Sequence, residues 1–418
     1  MNILTNTHSE FARGWRVLTA AFIGIGVSLV SLPFYSAGIW IRPWQEDFGW
    51  TRTEISLATT IGILVMIIVA PLAGIIIDRF GLRKVATISL ALYSLGFLAI
   101  SQMNGELWVL YTISAAYTVA GIASTPLAFT RAVNVWFVKN RGLALGICLT
   151  STGVAGVLLS RFLTPYVDEH GWRQGYMILF YSVIIALPLV WWWTPDQPPS
   201  GNPIDGDDTD DDPAKGHVTA PGSSVSEALR SRAFWSIGVM FILVAIAVSG
   251  LIPSFIPLLQ DAGMSPEAAG GYGAVIGGSV MIGRLVTGFL IDRIFAPYVT
   301  AVVFSLVALG CLSLGLGGID YALVAGIALG LAIGAEVDLI GYFSARYFGL
   351  KNYGVIFGMQ YSVFIVGSGI SPILAGQIWD RTGNYDIALI GASVLLMAAV
   401  MVSLTLPKFP PDTVISSH

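Results

Sequence analysis

Five ionisable side chains stand inside otherwise apolar stretches of this 418-residue chain: Arg131, Arg161, Arg284, Glu336 and Asp338. Charge at such depth is costly, so each is a candidate for binding or proton transfer. Arg284 lies eight residues (292 − 284) before Asp292, about 12 Å along a helix. A guanidinium there needs a counter-charge, and its planar fork suits a carboxylate. Two chemistries remain open. Arg284 either binds an anionic substrate or forms a permanent ion pair with Glu336 or Asp338. Those two carboxylates are two residues apart, about 200° around a helix, so they cannot both face one cavity. Loss of water disfavours a carboxylate's charged form, which makes each a candidate proton carrier. The four histidines, His8, His170, His217 and His418, fall outside the apolar stretches, so proton coupling would rest on carboxylates. Arg131 and Arg161 sit about one turn from the ends of their stretches, where long side chains reach the interface as anchors.

The elements that must hold these groups are membrane helices. Hydrophobic residues make up 55% of the chain and charged residues 11%, too little charge to cover a water-soluble surface. Apolar runs bounded by charge, Gly and Pro predict spans near 14–40, 53–77, 84–103, 107–135, 142–165 and 173–194, then near 233–258, 267–291, 298–316, 320–346, 353–378 and 385–407. The expectation is an all-α membrane protein of 12 transmembrane helices in two six-helix bundles, 1–194 and 231–418. Between them, 195–230 carries Asp205, Asp207, Asp208, Asp210, Asp211 and Asp212, a composition expected to form a solvated linker. Residues 1–13 are polar, and the first apolar run has no small-residue cleavage site, so a retained helix is expected.

The halves repeat each other. Pro43, Asp47, Gly49, Gly74, Asp78 and Arg79 match Pro257, Asp261, Gly263, Gly288, Asp292 and Arg293 at one offset (257 − 43 = 214). Gly142, Gly146, Asp168 and Gly171 match Gly354, Gly358, Asp380 and Gly383 (354 − 142 = 212). An offset held across several helices indicates a duplicated unit, an arrangement typical of secondary transporters. With the N-terminus in the cytoplasm, fourteen Lys and Arg fall on inner segments or span ends, and only Arg42, Arg52, Arg173 and Arg381 on outer ones. The positive-inside rule therefore puts both ends and the linker in the cytoplasm, in a membrane expected to be the bacterial inner (plasma) membrane.

Between spans 2 and 3 the chain reads Gly74-Ile75-Ile76-Ile77-Asp78-Arg79-Phe80-Gly81-Leu82-Arg83-Lys84, with a weaker repeat at Gly288 to Arg293. A carboxylate beside helix ends can pair with arginines and with a helix N-terminus. Asp78, Arg79, Arg83, Asp292 and Arg293 are therefore candidate gating residues, the alternative being that they only enforce topology. Gly142, Gly146, Gly153 and Gly156 have small-residue spacing for helix packing. Pro33 in span 1, with Pro253 and Pro257 in span 7, softens the outer parts of those helices, where Tyr35 and Phe255 become candidate substrate contacts, joined by Tyr361 in span 11. Cys148 and Cys311 lie in different spans without metal-ligand spacing.

The Gly74 to Lys84 motif resembles the loop signature of the major facilitator superfamily, and the resemblance covers the whole chain. Within that superfamily, Gly38 to Pro43, Glu46 to Ser56, Gly283-Arg284, and Gly376 to Tyr385 resemble the monocarboxylate porters and the oxalate/formate antiporter group. The resemblance implies that the span 8 arginine, Arg284, engages a substrate carboxylate. Two departures stand out. The animal monocarboxylate carriers place an aspartate one turn before that arginine, where this chain has Val280, and the oxalate carriers add a lysine in span 11 that is missing here. Glu336 or Asp338 is left as proton site, and a monocarboxylate is favoured over a dicarboxylate. The expected activity is proton-coupled movement of a small organic carboxylate by a monomer in the bilayer. The alternative is a proton-driven exporter of drugs or metabolites, whose usual Gly-Pro-x-x-Gly-Gly stretch in span 5 is replaced by Gly153-Val154-Ala155-Gly156. No nucleophile-base set, metal cluster, phosphate loop or basic stripe points to an enzyme, a cofactor or nucleic acid.

Overall fold

The computed structural model describes residues 3–194 and 222–410. The first half comprises α1 (Ile3–Gly26), α2 (Leu32–Phe48), α3 (Arg52–Phe80), α4 (Leu82–Ser101), α5 (Leu107–Gly121), α6 (Pro126–Trp136), α7 (Arg141–Leu158), α8 (Thr164–His170) and α9 (Trp172–Trp193). The second comprises α10 (Val225–Arg230), α11 (Arg232–Val248), α12 (Leu251–Asp261), α13 (Pro266–Ile291), α14 (Ala296–Gly317), α15 (Ala322–Phe348), α16 (Tyr353–Thr382) and α17 (Asp386–Leu404).

Among the described residues, ten stretches are long and apolar enough to cross a membrane. One of them, Ala296–Phe348, has 53 residues, about 80 Å of helix and too long for one crossing. It folds back at Gly318, whose φ of 72° lies in the left-handed region, so α14 and α15 are separate passes. The α1–α2 pair supplies one more, interrupted at residues 27–31 where Ser28 and Ser31 turn their hydroxyls onto the Ile25 carbonyl. Twelve passes result, as expected. Three other passes are also broken: α5–α6 by a 3₁₀ turn before Pro126, α7–α8 by a π turn at Leu159–Leu163, and α11–α12 at Ser249 and Gly250.

Helix boundaries follow local chemistry. Thr51 and Glu54 form a capping box that starts α3. Gly81, at φ 87°, ends α3 and begins α4. The stretch expected to be linker contains structure: Ser224 and Glu227 form a second capping box that starts α10, and Ser223 N–H donates to the Phe348 carbonyl at 2.8 Å. Residues 222–230 thus dock on the second half, and the aspartate run lies outside the described residues.

The two halves meet along α3 with α16 and α7 with α13, and close backbone approach runs from one end inward to the level of Arg284. A Cβ on Gly74 would lie 2.2 Å from the Gly354 carbonyl oxygen, and one on Gly142 would lie 2.3 Å from that of Gly288. Toward the other end of α13 and α16, Gly277, Gly278, Gly369 and Gly376 would meet nothing within 4 Å. The molecule is therefore closed where Asp78 and Asp292 sit and splayed at the opposite end.

Candidate functional site

Arg284 projects from α13 toward α15, where its Nη1 donates to Asp338 Oδ1 at 2.8 Å. The side chains are 6% and 1% exposed, so water screens this pair little. Glycines bring the helices this close: a Cβ at Gly334 would lie 2.6 Å from the Val280 carbonyl oxygen, and one at Gly146 of the opposite half 2.5 Å from that of Arg284. Cys148, also on α7, is fully buried and lies within electrostatic reach of both Arg284 and Asp338. The pair thus sits against the contact between the halves.

Its polar capacity is only partly used. Arg284 Nε, Asp338 Oδ2 and Glu336 Oε1 are buried without a hydrogen-bond partner among the described residues. Such atoms are rare in native structures and mark a place where a solute, a proton or water completes the set. Of the two open readings of Arg284, this conformation contains the ion pair, formed with Asp338. Glu336 is buried too, within electrostatic reach of Arg284 but not bonded to it.

The other expected substrate contacts do not converge on this pair. Tyr361 is eight residues (361 − 353) into α16, about the depth of Arg284, and its ring stacks between Phe357 and Phe364. Tyr35 packs on Gly156, ten residues (156 − 146) further along α7 than the residue against Arg284. The Phe255 ring is fully buried against Tyr272 and Gly326 in this conformation, packed inside the second half.

At the closed end, two carboxylates cross between the halves. Asp292 accepts from the N–H groups of Gly142 and Leu143 at 2.7 and 3.0 Å, at the start of α7. Asp78 accepts from those of Gly354 and Val355, both at 3.3 Å, at the start of α16. Each caps the positive end of a helix in the opposite half. Their expected arginine partners are elsewhere. Arg79 and Arg293 are exposed beside the rings of Phe80 and Phe289, while Arg83 donates to the Thr194 carbonyl within its own half. Asp78 instead pairs with Arg131 at 2.8 Å, a residue expected to be only an interfacial anchor. The signal was its depth, one turn from the closed end of its span and level with Asp78. Arg161 is exposed in the π turn. Tyr353, not singled out from sequence, donates its hydroxyl to Thr130 Oγ1 at 2.9 Å and accepts from Asn134 Nδ2 at 3.3 Å across the same boundary.

Residues 17–359 match the Major Facilitator Superfamily. The chain belongs to that superfamily. Among its relatives is monocarboxylate transporter 11 of Homo sapiens, 25% identical across 96% of this chain and 84% of that protein. The gallate transporter of Pseudomonas putida is 25% identical across 86% of this chain and 87% of its own. Among solved structures, the fucose:proton symporter of E. coli superposes with a TM-score of 0.73 at 17% identity, covering 96% of this chain and all of that one. As a major facilitator, the protein is a multi-pass secondary transporter and not an enzyme.

Proposed function

We propose that this major facilitator moves a small organic monocarboxylate together with a proton by alternating access, with Arg284 as the anion site and Asp338 as its internal stand-in. The observation that carries this reading is the buried Arg284–Asp338 pair with polar atoms left over on both partners. Asp338 already presents to Arg284 the group that a carboxylate substrate would present. A substrate carboxylate that displaces it leaves Asp338 free to take a proton. Before the exchange the site holds one positive and one negative charge, and afterwards it holds the same balance. The loaded carrier therefore buries no extra net charge, whereas anion alone or proton alone would leave the site unbalanced. Proton and substrate then bias one conformational equilibrium together, which is what coupling requires. Glu336, the second buried carboxylate, is the alternative proton site. Tyr361, at the same depth, and Tyr35, toward the open end, would complete the substrate path.

Three further observations support the reading. The relatives include proteins named for monocarboxylates and for gallate. Lys351 precedes α16, and that helix contains no lysine to hold a second carboxylate. The closed end bears crossing carboxylates whose hydrogen bonds must break if the halves rock, so Asp78 and Asp292 act as its latches, with Arg131 supporting the first. The excess of Lys and Arg at that end supports a cytoplasmic location for it, and hence an outward-facing state with both termini inside.

The test is uptake of labelled lactate, pyruvate, benzoate and gallate into proteoliposomes, with and without an inward proton gradient, by the native chain and by Arg284→Gln. Gradient-stimulated uptake of at least one acid, lost in a folded Arg284→Gln protein, is expected. Uptake indifferent to the substitution would leave Arg284 a structural ion pair.

A further inference from the structure

A second set of arginines lies outside this transport path. At the closed end, α1, α6 and α9 frame a cavity of about 420 Å³ lined by Arg13, Trp15, Arg16, Trp136, Trp192 and Trp193. Arg13 and Arg16 are three residues apart, so they share one face of α1. Both are exposed, and neither has a carboxylate partner among the described residues. The neighbouring Glu10 is engaged elsewhere, accepting from the Lys139 and Asn140 N–H groups and from Asn140 Nδ2. The Arg16 guanidinium stands 5.6 Å from the Trp15 ring centre, and Trp15 meets Trp193 edge-on at 5.4 Å.

We propose that this cavity binds the phosphate headgroup of an anionic phospholipid, with Arg13 and Arg16 as the cationic contacts and the tryptophans as the wall that seats the glycerol and upper acyl chain. Charge complementarity selects an anion, and the aromatic wall selects a lipid over a free solute. Trp15 is 47% and Trp192 72% exposed, as expected of indoles at headgroup level. Basic pockets between helices on the cytoplasmic side are suited to anionic headgroups. The site is not a by-product of the duplication. At the 214-residue offset, Arg13 and Arg16 become Glu227 and Arg230, and Glu227 is occupied in capping α10. Topology alone asks for positive charge at this end, but not for two arginines lining one aromatic cavity.

The experiment is native mass spectrometry of the full chain titrated with phosphatidylglycerol or phosphatidylcholine, repeated with millimolar inorganic phosphate. The variants are Arg13→Gln with Arg16→Gln, and Trp192→Ala, all checked for an unchanged melting profile. Phosphatidylglycerol should be preferred, inorganic phosphate should not displace it, and affinity should fall roughly fivefold for each arginine removed. Trp192→Ala should weaken both lipids while leaving the preference. Equal binding of the two lipids, or an unchanged double variant, would reduce these arginines to topology signals and overturn the proposal. Displacement by inorganic phosphate would indicate a soluble phosphorylated ligand instead. Phosphatidylglycerol binding that appears only after the six linker aspartates are replaced by asparagine would show the chain's own acidic run to be the occupant, and would equally overturn it.

Discussion

At the closed end, the two halves present the same carboxylate to the same kind of helix terminus, but with different support. Asp78 caps α16 and is bridged to Arg131 at 2.8 Å, and Arg131 also donates to the Ile77 carbonyl at 3.3 Å. Asp292 caps α7, and the carbonyl equivalent to that of Ile77, Ile291 (291 − 77 = 214), receives a hydrogen bond at 2.8 Å from the neutral hydroxyl of Tyr342. Duplication has kept the backbone register and the capping, while the local charge has diverged. Geometry at such a boundary is held by peptide groups that no side-chain substitution removes. Charge rests on single side chains and drifts freely.

The largest expected effect should not tell the halves apart. Val at Gly142 or at Gly354 places a side chain against backbone of the opposite half, 2.3 and 2.7 Å from the nearest carbonyl oxygen. Either change should part the closed end. Native Cys148, which faces the second half, is the reporter once Cys311 is replaced by alanine. Its labelling by a membrane-impermeant thiol reagent should speed up about tenfold or more, a shift of only about 1.4 kcal/mol. A tenfold difference between the two variants would break the symmetry of the seal.

Neutralising the carboxylates should separate the halves. Asp78→Asn leaves Arg131, only 20% exposed, without its counter-charge, an outcome far costlier than losing both partners. Labelling of Cys148 should rise about tenfold, and a second change, Arg131→Gln, should recover most of the loss. Asp292 makes no direct ion pair among the described residues, and buried Arg141 is only within its electrostatic reach, so Asp292→Asn should change labelling less, by under about threefold.

A pH titration sharpens the contrast further. Burial pushes the Asp292 carboxyl up to about 6, against the opposing pull of hydrogen bonds from Leu143 and Gly142. Once the end opens and water returns, its ordinary value near 3.9 should be restored. The closed form therefore binds more protons between those values. Its advantage is full below about 4 and is lost as pH rises through about 6. Cys148 labelling, taken as the ratio to Asp292→Asn at each pH so that the thiol's own ionisation cancels, should rise between pH 5 and 7. A flat ratio would contradict this assignment. The smallest effect belongs to Tyr342→Phe, which removes one hydrogen bond worth about 1 kcal/mol and should lower the melting temperature by a few degrees at most.

Much of this was legible in sequence because apolar length and a constant repeat offset depend on chain pattern alone. Those features determine the twelve passes, the two halves, and Asp78 and Asp292 as equivalent positions. Partners across helices were less legible. Arg131 is 53 residues (131 − 78) from Asp78 in sequence, and no spacing rule links a residue to a carboxylate two helices away. The nearer arginine Arg79 points outward because adjacent helical residues do not share a face, and Arg293, past the end of α13, lies exposed over the Phe289 ring. Gly142 and Gly146 read as packing positions, and they are, but between halves and not within one. At Arg284, sequence alone left substrate and ion pair as alternatives. The structure contains the ion pair, formed with Asp338, and the proposed function lets one arginine serve both by having a substrate carboxylate displace Asp338.

The most direct measurement is the affinity of the purified chain for a transported monocarboxylate, by calorimetry, in the native protein, Arg284→Gln and Asp338→Asn. If Asp338 competes with substrate for Arg284, Arg284→Gln abolishes binding, and Asp338→Asn binds at least as tightly as the native chain while losing proton uptake on binding. Unaltered affinity in Arg284→Gln, or undiminished proton uptake in Asp338→Asn, would contradict the account.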